Sequence, residues 1–184
     1  MTNTSPALVS HLANNNFDPD AHLLINGVVG ASDGYAFFPL INSSRDWGAA
    51  AVFSDKEDLK DGVDFRGRQF KYARKRAYSI ASALKDRPMF DLVHVDIQGS
   101  EREVIPAALP VLNDKVRWLV IGTHSRSIEG LLIDTLSQAG WTLENEKPCQ
   151  FKVGASEPIS EKHLRKDGAQ VWRNTHQAIP QGHS

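Results

Sequence analysis

Between Phe90 and Arg173 the hydrophobic rhythm of the chain switches repeatedly between strand and helix periods, and this alternation constrains the fold most. Phe90 to Ile97 (Phe-Asp-Leu-Val-His-Val-Asp-Ile) is a β-rich run. Ser100 to Leu112 reads as a helix, with Ser100 placed as its N-cap and Glu103 as the capping-box partner. Val116 to Thr123 is nearly continuous apolar and reads as a buried strand. Ser127 to Ala139 sets Ile128, Leu131, Leu132, Thr135 and Leu136 on one helical face, with Gly140 just past its end. Trp141 to Glu146 and Ala169 to Arg173 read as closing strands. Strands that alternate with helices predict an α/β fold: a parallel sheet covered on both faces, finished by an antiparallel edge pair.

The front of the chain is less regular. Leu8 to Phe17 has helical spacing and stops in an Asn run before Asp18-Pro19, where proline discourages helix in the preceding residue. Leu23 to Val29 leans toward strand, Asp33-Gly34 is a turn signal, and Tyr35 to Ile41 reads as a second strand, so the two predict an antiparallel hairpin. From Asn42 to about Ala77 no period is sustained, which predicts a long lid or insert with short strands near Ala50 to Phe53 and Phe70 to Tyr72. Ile80 to Leu84 reads as a helical turn. Residues 1–175 are expected to form a single domain, and 176–184 a frayed tail.

Composition narrows the function classes. A chain of 184 residues can bury one core and is too short for two ordinary domains. With 41% hydrophobic and 23% charged residues it resembles a globular protein, and its net charge of -1 argues against a nucleic-acid partner. No apolar run approaches the roughly 20 residues needed to cross a bilayer. No secretory leader is visible, and the single cysteine, Cys149, fits a reducing compartment; the expected location is cytoplasmic.

Ligands of open α/β sheets bind beyond the carboxyl ends of the strands, and two such ends carry unusual chemistry. In the first, His94 and Asp96 share a strand face, Gly99 supplies a turn, and Glu101 and Glu103 suit a helix N-terminus. The second is Gly122-Thr123-His124-Ser125-Arg126, where His124 could act as a general base or position a substrate hydroxyl. The structural alternative makes Asp96 and Ser100 caps and His124 a partner for loop backbone. Asp96, His94 and His124 also supply the residue types of a two-histidine, one-carboxylate iron site, against which the helix-rich pattern argues. Arg66 to Arg76 interleaves basic and aromatic residues, as an anion-binding strip or a solvated loop would. Cys149 reads as a structural thiol rather than a nucleophile.

The stretch Asp91-Leu92-Val93-His94-Val95-Asp96-Ile97-Gln98-Gly99-Ser100-Glu101 resembles the Asp-x-Glu-Gly-x-Glu block of FkbM-type S-adenosylmethionine-dependent methyltransferases. Ile25 to Gly30 with Asp33-Gly34, Ile121 to Arg126, and Asp167 to Asn174 resemble further blocks of that family, in the same order. Gln98 stands where many members carry an acid. The resemblance implies a Rossmann-like class I methyltransferase fold with a mixed sheet, and O-methyl transfer from S-adenosylmethionine to a small-molecule or glycan acceptor. It implies Asp96 and His124 as catalytic residues, Gly27, Val28 and Asp96 as cofactor contacts, and His94, Glu101 and Arg126 as substrate contacts, with no metal. The family's first strand and glycine loop find no counterpart before Leu8, so the fold is expected to be N-terminally incomplete. Either Leu23 to Val29 then closes against Phe90 to Ile97, or a second copy or complementing chain fills the gap; a non-catalytic binding or assembly module is the alternative function.

Overall fold

In a computed structural model, residues 6–40, 50–54, 61–63, 69–152, 154 and 163–177 are described. Helix α1 spans Pro6–Asn14, and Asn16 ends it in the left-handed region at φ 62. A short 3-10 turn, Pro19–Ala21, follows, capped by the Asp18 carboxylate, which accepts from the Asp20 amide. Three short strands come next: β1 (Val28–Gly30), β2 (Gly34–Pro39) and β3 (Asp61–Val63). The eleven-residue strand β4 (Gln69–Ser79) then runs into α2, Ile80–Ala83.

The expected hairpin does not form. β4 lies between β1 and β2, parallel to β1 (Val28 beside Ala77) and antiparallel to β2 (Tyr35 beside Arg76). The turn signal at Asp33-Gly34 is real, but its carboxylate reaches across the sheet. Asp33 accepts from the Ser79 amide at 2.7 Å and from the Ser82 hydroxyl at 2.5 Å, tying the turn to the start of α2. These hydrogen bonds, the Ser82 hydroxyl first, hold the Asp33 carboxyl below its ordinary range. Around Ala50 to Phe53 the expected strand reduces to one bridge, Val52 with Phe37.

The second sheet follows the alternation closely. Its elements are β5 (Phe90–Val95), α3 (Glu101–Lys115), β6 (Val116–Thr123), α4 (Arg126–Gln138) and β7 (Trp141–Lys147). A small pair, β8 (Gln150–Phe151) with β9 (Leu164–Lys166), precedes β10 (Gly168–Asn174). The strand order is β5-β6-β10-β7: β5 and β6 are parallel, and β10 is inserted antiparallel between β6 and β7. The other long edge of β5 has no strand partner among the described residues, so the closure of β1 onto it is not seen; β1 belongs to the other sheet. The result is a mixed α/β fold.

A main core lies between the second sheet and its helices, and a smaller cluster of Phe37, Phe70 and Tyr72, with Val52 against it, lies on the first sheet. In the main core Trp172, Ile105, Leu112, Leu119, Ile121, Ile128, Leu132 and Leu136 are wholly or almost wholly buried, and Ile80 of α2 and Val29 of β1 join them. Truncating one such leucine to alanine would cost about 2–5 kcal/mol. The C-terminus of α3 is closed by Asn174, whose amide donates to the carbonyls of Leu112, Asn113 and Val116. That buried amide satisfies acceptors left free at a helix end. Lys115 does the same for the turn after α2, donating to Leu84, Lys85 and Arg87. Beyond β10, Gln177 donates to the carbonyls of Asn113 and Asp114; residues 178–184, the rest of the expected tail, lie outside the described residues. No helix of the described residues is long and apolar enough to cross a membrane.

Candidate functional site

The turn from β5 into α3 departs from the expected capping box. Ser100 is already helical, at φ -74 and ψ -6, and its hydroxyl caps nothing. Glu101 takes over: its carboxylate accepts from the Ile97 amide and the Gly99 amide, each at 2.8 Å, and the side chain is completely buried. This closes a loop in which Gln98 and Gly99 both have positive φ, 54 and 100. A glutamine held left-handed is uncommon, and such strain gathers at functional sites. Gln98 Nε2 donates to Asp96 Oδ1 at 3.2 Å, while its Oε1 is shielded with no hydrogen-bond partner among the described residues.

At the end of β6, His124 lies between two carboxylates. Its Nε2 is 3.3 Å from Asp96 Oδ1 and its Nδ1 is 3.3 Å from Glu101 Oε1; the imidazole is 2% exposed. Neither nitrogen has a well-aligned hydrogen bond among the described residues. Burial disfavours the protonated ring, but Glu101 foremost, then Asp96 and Asp167, outweigh it and raise the His124 pKa above its ordinary value. Gly122, on the adjoining strand, makes room for the Asp96 carboxylate: a Cβ there would lie 2.9 Å from Asp96 Cγ. Asp96, Glu101 and His124 bring their donor atoms within 4.8 Å of one another, the donor types of a divalent-cation site. Each ring nitrogen already faces a carboxylate, however, and this favours an imidazolium clamped between two anions.

Asp96 opens onto a cavity of about 250 Å³ between the two sheets. Gly27, Val28, Val29 and Phe38 form one wall; Asp96, Ile97, Gln98 and Ser100 form the other. Gly27 is closely packed, since a Cβ would lie 2.6 Å from the Tyr78 ring. The cavity therefore joins Gly27 and Val28 to Asp96, segments far apart in the sequence. Its walls are mostly apolar around one half-exposed carboxylate, whose side chain is 48% exposed.

The other residues singled out from sequence fall elsewhere. Glu101, read as a substrate contact, is sealed beneath the turn and acts on His124. His94 is exposed on β5 and does not line the cavity; the metal-like trio contains Glu101 in its place. Arg126 pairs with Glu129 at 3.3 Å at the start of α4, whose N-cap is Ser125, and it too stays off the cavity. Glu129 anchors a second buried polar knot, accepting from Thr123 at 2.9 Å and from the Cys149 amide at 2.7 Å. Burial first, then Glu129, pushes the Cys149 thiol up to about 12. Gly168 is pressed so closely on Thr123, Glu129 and Cys149 that any side chain would collide. Of the basic strip, Arg66 and Arg68 lie outside the described residues; Arg74 and Arg76 are strand residues stacked over Tyr35, with Arg76 also near Tyr78.

Phe38 and Val29 were not singled out from sequence as site residues. No sequence signal marked them; the pairing of β1 and β2 on β4 draws them to one place.

No family model and no solved structure matches the chain. It is 30% identical over 164 residues to a protein of Jannaschia sp. (strain CCS1) named "Putative methyltransferase". The match takes in 89% of this chain and 56% of that protein, so the chain spans little more than half the length of the relative.

Proposed function

We propose that the chain belongs to an S-adenosylmethionine-dependent methyltransferase of the FkbM type, transferring methyl to an oxygen of a small molecule or sugar. The carrying observation is the cavity that brings Gly27 and Val28 to Asp96, with His124 and Glu101 packed behind that carboxylate. The similarity to the Jannaschia protein and the β5-β6-β10-β7 order, as in a Rossmann-like class I sheet, support the reading.

The walls suit part of such a donor. A half-exposed carboxylate in an apolar-walled cavity complements a sulfonium cation. The volume, about 250 Å³, falls just below the roughly 300–1,000 Å³ usual for small-molecule sites. The described residues therefore provide one side of a donor site. S-adenosylmethionine supplies an electrophilic methyl group when bound. Asp96 would accept a hydrogen bond from the acceptor hydroxyl, orient its oxygen and take its proton as the new bond to carbon forms, while the donor's methyl carbon–sulfur bond breaks and its sulfur keeps the electron pair, leaving as S-adenosylhomocysteine. His124 holds the Asp96 carboxylate in place, and Glu101 raises the proton affinity of the His124 ring. Gln98 steadies Asp96 from the other side.

Calorimetric titration with S-adenosylhomocysteine tests the proposal. Micromolar binding that weakens in Asp96→Asn is the expected result. A second reading, a non-catalytic binding module, is favoured by the small cavity; no heat of binding up to millimolar ligand would decide for it.

A further inference from the structure

A second cavity of about 330 Å³ adjoins the first and shares Gly27, Val28 and Phe38 with it. Its remaining lining is Asn26, Pro39, Leu40 and Lys75. The sheet register explains the assembly. Val28 pairs with Ala77 and Ala36 pairs with Lys75, so Val28, Ala36, Phe38, Lys75 and Ala77 share one face across three strands. Lys75 is the one cation on this cavity's described lining, and no other described residue gives it a hydrogen bond or an ion pair. It is half-buried, as befits a stem laid along apolar neighbours with the ammonium at the cavity. Leu40, at its rim, is 45% exposed.

We infer that this lobe is a binding site for a small anionic molecule, a carboxylate or phosphate on an apolar or ring-shaped body. The ammonium of Lys75 and the amide of Asn26 take the anion, and Phe38, Pro39 and Leu40 take the body. The groove then carries a negative charge at its Asp96 end and a positive charge at its Lys75 end. A ligand anchored by its anion at Lys75 extends along the shared wall of Gly27 and Val28 toward Asp96. Assigning that ligand as the methyl acceptor rests on the methyl-transfer reading above. The other source of the same chemistry is the carboxylate of the methyl donor itself, and the two are separable.

The test is a nuclear magnetic resonance titration of the chain with benzoate, phenyl phosphate and the neutral benzyl alcohol, repeated on Lys75→Met and Lys75→Arg. Each variant is first checked for an unchanged urea midpoint and is also titrated calorimetrically with S-adenosylhomocysteine. Both anions are expected to bind about tenfold more tightly than benzyl alcohol, shifting the amides of Val28, Phe38 and Leu40. Lys75→Met should lose that tenfold, Lys75→Arg should keep most of it, and S-adenosylhomocysteine should bind all three proteins alike. Equal affinity for anion and alcohol, or anion binding unchanged in Lys75→Met, overturns the site. If Lys75→Met weakens S-adenosylhomocysteine as much as benzoate, the anion belongs to the donor and the acceptor assignment falls. If benzoate binds through Lys75 while S-adenosylhomocysteine does not bind at all, the anion site stands and only the methyl-donor reading fails.

Discussion

Replacing Glu101 by glutamine isolates the turn that builds the site. The side chain keeps its shape, but of two acceptor oxygens only one remains. The carboxylate receives the Ile97 and Gly99 amides at 2.8 Å each, and hydrogen bonds to a charged group are worth about 1.5–3 kcal/mol apiece. Glutamine preserves one and turns an NH₂ group on the other, while His124 loses the anion 3.3 Å from its Nδ1. The sum is a loss of about 2–4 kcal/mol, a shift of roughly 1–2 M in the urea midpoint. The loss also depends on pH. Because His124 binds its proton more tightly folded than unfolded, its contribution is fully present below about 6.5, the ordinary value, and disappears as pH rises through the raised folded value. Removing Glu101, the main source of that rise, should therefore cost more at pH 5.5 than at pH 9. Urea unfolding of both proteins at the two pH values measures this. A loss under about 0.5 kcal/mol at pH 5.5, or the same loss at both, would refute the account of Glu101 as the residue that charges His124.

Two further outcomes follow from the same geometry. Gly122→Ala would place a methyl group 2.9 Å from Asp96 Cγ and push the carboxylate off its seat; calorimetry should show S-adenosylhomocysteine binding weakened about tenfold, with unchanged affinity counting against the role given to Asp96. Cys149, buried and with its thiol pushed up to about 12, should resist iodoacetamide at pH 8 in the folded protein and react once urea unfolds it, whereas rapid native-state alkylation would contradict its burial.

Periodicity made the second sheet legible before any coordinates. The run of β5, α3, β6, α4 and β7 follows the alternation within a few residues, because one face of each element is committed to a single core. What pattern cannot show is which strand pairs with which. Strand period alone made β1 and β2 a hairpin; the Asp33 bonds to Ser79 and Ser82 bring β4 between them instead. Of β4, the expected short strand at Phe70 to Tyr72 is borne out, but its continuation to Ser79 was hidden by Arg74, Lys75 and Arg76, which read as an anion-binding strip or a solvated loop. Their charges are tolerated in a strand because the arginines lie over aromatic rings: Arg74 is 3.9 Å from the Tyr35 centroid. At the site, Asp96 and His124 were readable as polar residues at strand ends, and the structure brings them together. Glu101 was misread because first-turn glutamates usually face water and complement the helix dipole. Here the left-handed Gln98-Gly99 step turns two amides inward, and a carboxylate must be buried to receive them.

The side of β5 that has no strand partner among the described residues has a practical meaning for anyone handling this chain. A row of peptide groups still able to bond, flanked by Leu92 at 57% exposure, is adhesive toward any extended backbone it meets. Melting temperature should accordingly drift with protein concentration, as it does whenever self-association feeds into the unfolding equilibrium. Dilute samples would report the intrinsic strength of the fold, and concentrated ones the strength of its company.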